Sequence, residues 1–292
     1  MTGTAVAGVA VPELRRRPLR VTARLEATGP TTPPTDAATL LERVGALYPR
    51  SGGTAGTVGV DRLDHPDGTR SWVVAIPGTQ AMSLGTGANP MDMATNLRLM
   101  ATAADDTGLL VTRALEQSGA RPDEPVLLAG HSQGGMVAMA LAGSAAFTAR
   151  HRVGAVLTAG SPVATMAAPR TVATLHLEHR QDLVPALDGW RNPDEPHRTT
   201  AVRDLEVAGT VADRLAARSP GTAHEVGTYV RTAGVVAAVG GASVREWERA
   251  AAGVLGGPGT TAVHREFTGE RAEPGERARA ARLSPASGGS PR

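Results

Sequence analysis

The pentapeptide Gly130-His131-Ser132-Gln133-Gly134 constrains this chain more than any other feature of its sequence. It has the G-x-S-x-G form of a nucleophile elbow, a sharp strand-to-helix turn that lifts a serine hydroxyl clear of the backbone. Two glycines around a serine are a weak pattern alone, and the flanks give it force. Pro125-Val126-Leu127-Leu128-Ala129 before it reads as a buried parallel strand. Gly134 through Ala142, rich in Ala, Met and Leu, reads as a buried helix. A serine in such a turn sits at strained backbone angles, so the residues two positions either side lack a Cβ and let strand and helix approach. Ser132 is therefore the candidate nucleophile.

The remaining periodicities build an alternating pattern around that turn. Asp36 caps a helix carrying Leu40, Leu41, Val44 and Leu47 at helical spacing, closed by Gly52 and Gly53. Residues 57–63 alternate and read as an edge-side strand, joined through the turn His65-Pro66-Asp67-Gly68 to a strand at 72–76. One long helical pattern is expected from Met93 to about Ser118. Further strands are expected at 153–159, 172–178 and 261–267, with 199–207 a strand or an irregular segment. Helices are expected at 222–238 and 243–254. Strands alternating with helices predict an α/β fold with a mostly parallel central sheet and helices on both faces.

At 292 residues the chain has room for one domain of about 230 residues with flanking tails. The expected division is an N-terminal extension at 1–35, the folded domain at 36–268 and a disordered tail at 269–292, where Arg, Glu, Pro, Gly and Ser run without period. Hydrophobic residues make up 41% and aromatics 2%, so the core has to be built from Ala, Val, Leu and Met. A formal charge of +2 and the lack of a dense basic stripe with aromatics argue against nucleic-acid binding. Cysteine is absent, which removes disulfides, thiolate catalysis and Cys metal sites. The histidines show no metal-ligand spacing and no phosphate-binding glycine loop stands out, so no metal and no cofactor is expected. No segment has the apolar length of a membrane span. The cluster Arg15-Arg16-Arg17 follows the apolar start of the chain, the reverse of a secretory signal, which favours a cytoplasmic location.

A serine hydroxyl needs a base, and the base an orienting carboxylate. The acid candidate is Asp182, just beyond a predicted strand end, where ligands and catalytic groups gather in parallel sheets; Asp188 and Asp194 compete from farther along. Among His176, His179, His197, His224 and His264, the base candidate is His224, in a loop entering a helix with freedom to reach the sheet edge. The others lie in or beside strands or precede the acid. An oxyanion hole needs backbone N–H donors. Gln133 follows the nucleophile, and Thr79 follows the strand that ends in Ile76-Pro77-Gly78, with Gln80 beside it. The segment 80–93 should overhang the site. Its Met82, Met91 and Met93 read either as an adaptable acyl-binding surface or as packing, and Asp92 and Asn96 read first as helix-cap and helix polar positions.

These motifs together resemble the class 3 lipase-like α/β-hydrolases: a strand ending in Pro-Gly-Thr, the Gly-His-Ser-x-Gly elbow, Ala159-Gly160-Ser161-Pro162, and Asp182-Leu183-Val184-Pro185. The resemblance spans roughly residues 56 to 235. It implies the α/β-hydrolase fold and a serine hydrolase acting on a small-molecule or lipid-like acyl ester. Acyl transfer or thioester cleavage would use the same residues, and a non-catalytic binding protein could share the fold.

Overall fold

The computed structural model describes residues 17–26, 31–84, 87–101, 105–207 and 209–272. Its elements in chain order are β1 (Leu19–Glu26), α1 (Ala37–Ala46), β2 (Thr57–Asp64), β3 (Arg70–Ile76), α2 (Met93–Met100), α3 (Asp106–Ser118), β4 (Pro125–His131), α4 (Gln133–Ala142), α5 (Ala145–Thr148), β5 (Arg152–Ala159), β6 (Ala173–His179), β7 (Arg198–Arg203), α6 (Val211–Ala216), α7 (Pro220–Ala223), α8 (Val226–Val239), α9 (Ala242–Ala252) and β8 (Thr261–Arg271). The strands form one sheet in the order β1-β8-β2-β3-β4-β5-β6-β7. From β3 to β7 every pairing is parallel, and the β1, β8, β2 side is antiparallel.

The apolar runs of the parallel strands follow from burial on both faces. Val74, Leu128 and Val156 point toward α3 and α4 and pack with Leu110, Leu115 and Val137. Their neighbours Val73, Leu127 and Leu157 point the other way, against Leu40 and Val44 of α1, Tyr229 of α8 and Trp247 of α9. Successive strand side chains alternate faces, so each strand feeds two cores. Truncating one of these leucines to alanine costs about 2–5 kcal/mol.

Four expectations are corrected. The first concerns residues 57–63, which form an interior strand: β8 returns from far along the chain and covers the other edge of β2. The second is the single helix from Met93 to Ser118, which is two helices. Asp92 caps the first by accepting the Thr95 N–H at 3.0 Å, and Asp105 starts a second by accepting the Gly108 N–H at 2.6 Å. The apolar period runs through both, which hid the break. The third is the expected 222–238 helix, interrupted at His224 and Glu225, where the extended backbone of Glu225 begins α8 afresh. The fourth is the domain boundary at 36 and 268, which is too narrow. β1 at 19–26 pairs with β8, and β8 runs to Arg271, whose side chain is 1% exposed. Residues 1–16 and 273–292 of the expected extension and tail lie outside the described residues.

Candidate active site

The C-terminal edge of the parallel strands gathers the candidate residues. Thr79 follows β3, Ser132 follows β4, Asp182 follows β6, and His224 comes after β7 at the end of the short α7. This is where parallel α/β sheets place their ligand crevices.

Ser132 has φ 56° and ψ −124°, and among the described residues no other non-glycine has positive φ. Such a conformation costs of order 1–3 kcal/mol and persists only where the surroundings impose it. Here they do. A Cβ on Gly130 would lie 2.2 Å from the Gly134 carbonyl carbon, and one on Gly134 would lie 2.0 Å from the Ile76 oxygen. Strand, turn and helix are in backbone contact, and the Ser132 N–H is tied to the Ala159 carbonyl at 2.9 Å.

His224 Nε2 stands 3.0 Å from Ser132 Oγ, and His224 Nδ1 stands 2.7 Å from Asp182 Oδ2. Because the carboxylate accepts, Nδ1 carries the proton and Nε2 presents its lone pair to the serine hydroxyl. Asp182 has a fully buried side chain. Burial pushes its carboxyl up, but hydrogen bonds from His224, the Tyr229 hydroxyl and the Val184 N–H outweigh that and hold it below its ordinary value. The Tyr229 O–H donates to Oδ2 at 2.7 Å and the Val184 N–H to Oδ1 at 2.9 Å. Tyr229 is stacked on His179 with ring centroids 3.9 Å apart. His179 Nδ1 donates to the Ala223 carbonyl at 2.8 Å, next to His224, and its Nε2 accepts from the Thr232 hydroxyl at 2.7 Å.

On the other side of the serine, the Gln133 amide group donates to the Asp92 carbonyl at 2.8 Å and to Asn96 Oδ1 at 2.7 Å. Asn96 Nδ2 in turn donates to Thr79 Oγ1 at 3.0 Å. The side chains of both expected oxyanion donors are thus joined through Asn96. The Gly78 N–H is taken by the Tyr48 hydroxyl and the Gln80 N–H by the Met91 carbonyl. Among the described residues the Thr79 N–H between them meets no protein acceptor. The Gln133 N–H opens α4, where helix amides have no intrahelical acceptor. Gln80 spends its side chain elsewhere, accepting from the Gly56 N–H at 2.7 Å.

Beneath this loop lies a buried ion cluster. Arg271 Nε donates to Asp106 Oδ2 at 2.6 Å and its guanidinium also binds both Asp92 oxygens, while Arg98 Nη1 reaches Asp106 Oδ2 at 3.0 Å. Asp92 is the cap of α2, so the cluster anchors the helix that carries Asn96.

The competing candidates are placed elsewhere. Asp188 caps the Ala164 N–H at 2.7 Å, and Asp194 is exposed. His176 is buried on Thr158 at 2.7 Å, His197 lies beside Glu195 at the opposite strand end, and His264 contacts Asp61 at 3.0 Å. Of the three methionines, Met91 is fully buried in the core and is corrected to a packing residue. Met82 is 80% exposed, and Met93 is half-buried with its sulfur 3.3 Å from Asn96 Nδ2. Sequence reasoning missed Tyr48, Tyr229 and Arg271. The one usable signal was the rule that a buried tyrosine hydroxyl finds a partner, applied to a tyrosine on the apolar stripe of α8.

The sequence profile of a PGAP1-like alpha/beta domain matches residues 93–233, from α2 across the elbow to α8. With the strained serine at the end of β4 and helices on both faces of the sheet, this settles the architecture. The chain is an α/β-hydrolase by fold. Among solved structures, this chain is similar to the Lip2 lipase from Yarrowia lipolytica, at 15% identity and a TM-score of 0.30, over 62% of this chain and 83% of that one. The curated proteins contain no significant match.

Proposed function

We propose that this α/β-hydrolase cleaves acyl esters through a serine-bound acyl intermediate. The observation that carries the reading is the directed line from Asp182 through His224 to Ser132, with separations of 2.7 and 3.0 Å, on a serine held at positive φ. Ser132 Oγ attacks the ester carbonyl carbon as its proton passes to His224 Nε2. The N–H groups of Gln133 and Thr79 receive the negative charge that forms on the carbonyl oxygen. Losing one such donor costs about 2.7–4 kcal/mol of barrier. The tetrahedral adduct collapses, His224 returns the proton to the departing alcohol, and the acyl group stays on Ser132. Water then gives a proton to His224 and adds to the acyl carbon, and the acid leaves as Ser132 recovers its proton. Asp182 remains ionised throughout and holds the imidazole tautomer.

The surroundings favour an apolar, lipid-like acyl group. Met82 and Leu84 beyond the Thr79 turn, Leu97 beside Asn96, and Leu183, Leu187 and Trp190 beyond Asp182 are all exposed. Exposed apolar side chains on the segments that follow Thr79 and Asp182 would give such a group a surface to meet.

The test is labelling by a fluorophosphonate, followed by hydrolysis of p-nitrophenyl esters of increasing chain length. Ser132→Ala should abolish labelling and His224→Ala should slow it by at least about a thousandfold. Hydrolysis should favour chains longer than acetate. A folded wild-type protein that neither labels nor hydrolyses any ester in the series would overturn the reading.

A further inference from the structure

The elbow histidine and a tyrosine from α1 form a second line of hydrogen bonds beside the proposed triad. His131 Nε2 lies 2.7 Å from the His224 carbonyl, and His131 Nδ1 lies 2.6 Å from the Tyr48 hydroxyl. The Tyr48 oxygen accepts the Gly78 N–H at 2.7 Å. The directions are forced. A carbonyl only accepts, so Nε2 carries the hydrogen. In the neutral ring Nδ1 then only accepts, so the Tyr48 O–H points at it. That leaves the tyrosine oxygen a lone pair for Gly78. The line therefore runs one way: Gly78 N–H to Tyr48, Tyr48 O–H to His131, His131 N–H to the His224 carbonyl.

Every member is enclosed. Tyr48 is 7% exposed and His131 3%. Burial, then the neighbouring His224, pushes His131 down to about 3, so its ring stays neutral across the working range. Gly78 has no room to rearrange, because a Cβ there would lie 2.7 Å from Ser132 Cβ and 2.8 Å from the tyrosine oxygen. The Gly78 amide fixes the Pro77–Gly78 peptide, one before the peptide that carries the Thr79 N–H, and the His224 carbonyl fixes the backbone that carries the imidazole. One phenol thus sets two separate groups relative to Ser132.

Resting on the ester-hydrolase reading, we propose that Tyr48 is a positioning residue for the reaction, acting through His131 and Gly78 to hold the oxyanion turn and the His224 loop in register. Tyr48→Phe keeps the ring but leaves the Gly78 N–H and His131 Nδ1 without partners. His131→Leu breaks the same line at its centre. Neither change touches the substrate.

The experiment uses the full chain, with active sites counted by fluorophosphonate labelling and p-nitrophenyl butyrate as substrate. Tyr48→Phe should lower kcat per labelled site by about 10- to 100-fold with KM within a factor of two, the cost of a small misplacement of reacting groups. His131→Leu should do the same, and the double variant should lose little more than the worse single one, since both cut one line. Unchanged kcat per labelled site in Tyr48→Phe, or losses that multiply in the double variant, would overturn the proposal while the wild type's turnover leaves the hydrolase reading intact. A wild type that neither labels nor turns over fails the hydrolase reading instead. If the variants do not fold, the imidazole nitrogen spectrum of the wild type decides. A neutral His131 with its proton on Nε2, unchanged between about pH 5 and 8, supports the line; an Nδ1–H tautomer or a ring titrating in that range overturns it.

Discussion

The two sides of Ser132 are held by different physics. On the His224 side the carboxylate is met by neutral donors, Tyr229 and the Val184 amide, with the neutral His179 stacked on Tyr229, and the buried Arg203–Asp213 pair stands farther off, on the Thr232 hydroxyl. On the Thr79 side it is a compensated set of buried charges, Arg271 and Arg98 with Asp92 and Asp106, anchoring the helix that carries Asn96. The division matches what each side has to do. In the proposed reaction His224 gains and loses a proton in every cycle, and neutral neighbours spare the imidazolium from competing cations in a low-dielectric site. The Thr79 turn takes up no proton in that reaction, so a buried ion cluster there adds directional bonds without disturbing a titration. Its cost is desolvation, which makes it sensitive to the loss of any one member.

Substitutions that break one side and leave the other give the sharpest contrast. The largest effect belongs to Asp182→Asn, which should lower kcat by about 10^4-fold through the wrong imidazole tautomer. A loss under tenfold would separate Asp182 from catalysis. Arg271→Met should act first on stability. It leaves the buried Asp92 without a cation and Asp106 with Arg98 alone, and should cost about 3–5 kcal/mol of folding stability, measured by urea denaturation. A change below about 1 kcal/mol, the size of an exposed ion pair, would mean the cluster anchors nothing. Tyr229→Phe removes one hydrogen bond to a charged group and should cost about 1.5–3 kcal/mol of stability, with kcat reduced far less than in Asp182→Asn.

The remaining effect is graded with pH. Burial pushes His131 and His176 down to about 3 and His179 to about 4. The unfolded chain takes up protons on these rings first, so stability should fall as pH drops below about 6.5, by up to about 1.4 kcal/mol per pH unit for each ring. Asp182, depressed in the fold, adds its loss only as pH falls through the carboxylate range. His264 has the opposite sign. Burial lowers it, but Asp61 raises it further, so its contribution is whole at low pH and fades as pH climbs through its folded value. Urea midpoints at pH 7.5, 6 and 5 test the balance, and equal midpoints would contradict it.

What could be read from the sequence was what local physics fixes. The elbow was legible because close backbone approach demands glycine at 130 and 134. The apolar runs of β4 and β5 were legible because both faces are buried. Asp182 and His224 came forward from chain order and loop position, and the structure puts both within hydrogen-bond reach of the line to Ser132. Tyr48 and Arg271 were not legible. Tyr48 bonds a residue 83 positions away and Arg271 one 179 away, and no local pattern encodes such partners. The break between α2 and α3 was hidden for the opposite reason: the apolar period continues across it, and one aspartate overrules it.

Arg271 has a consequence for how the molecule comes into being. A ribosome delivers β8 last among the eight strands, long after Ser132 and its elbow have emerged. Until then β2 is an open edge and Asp92 and Asp106 lack the guanidinium that bridges them. The growing chain therefore carries Ser132 early and secures the Thr79 turn late, so a truncated chain stopping short of β8 would hold the serine without the frame that fixes its neighbours.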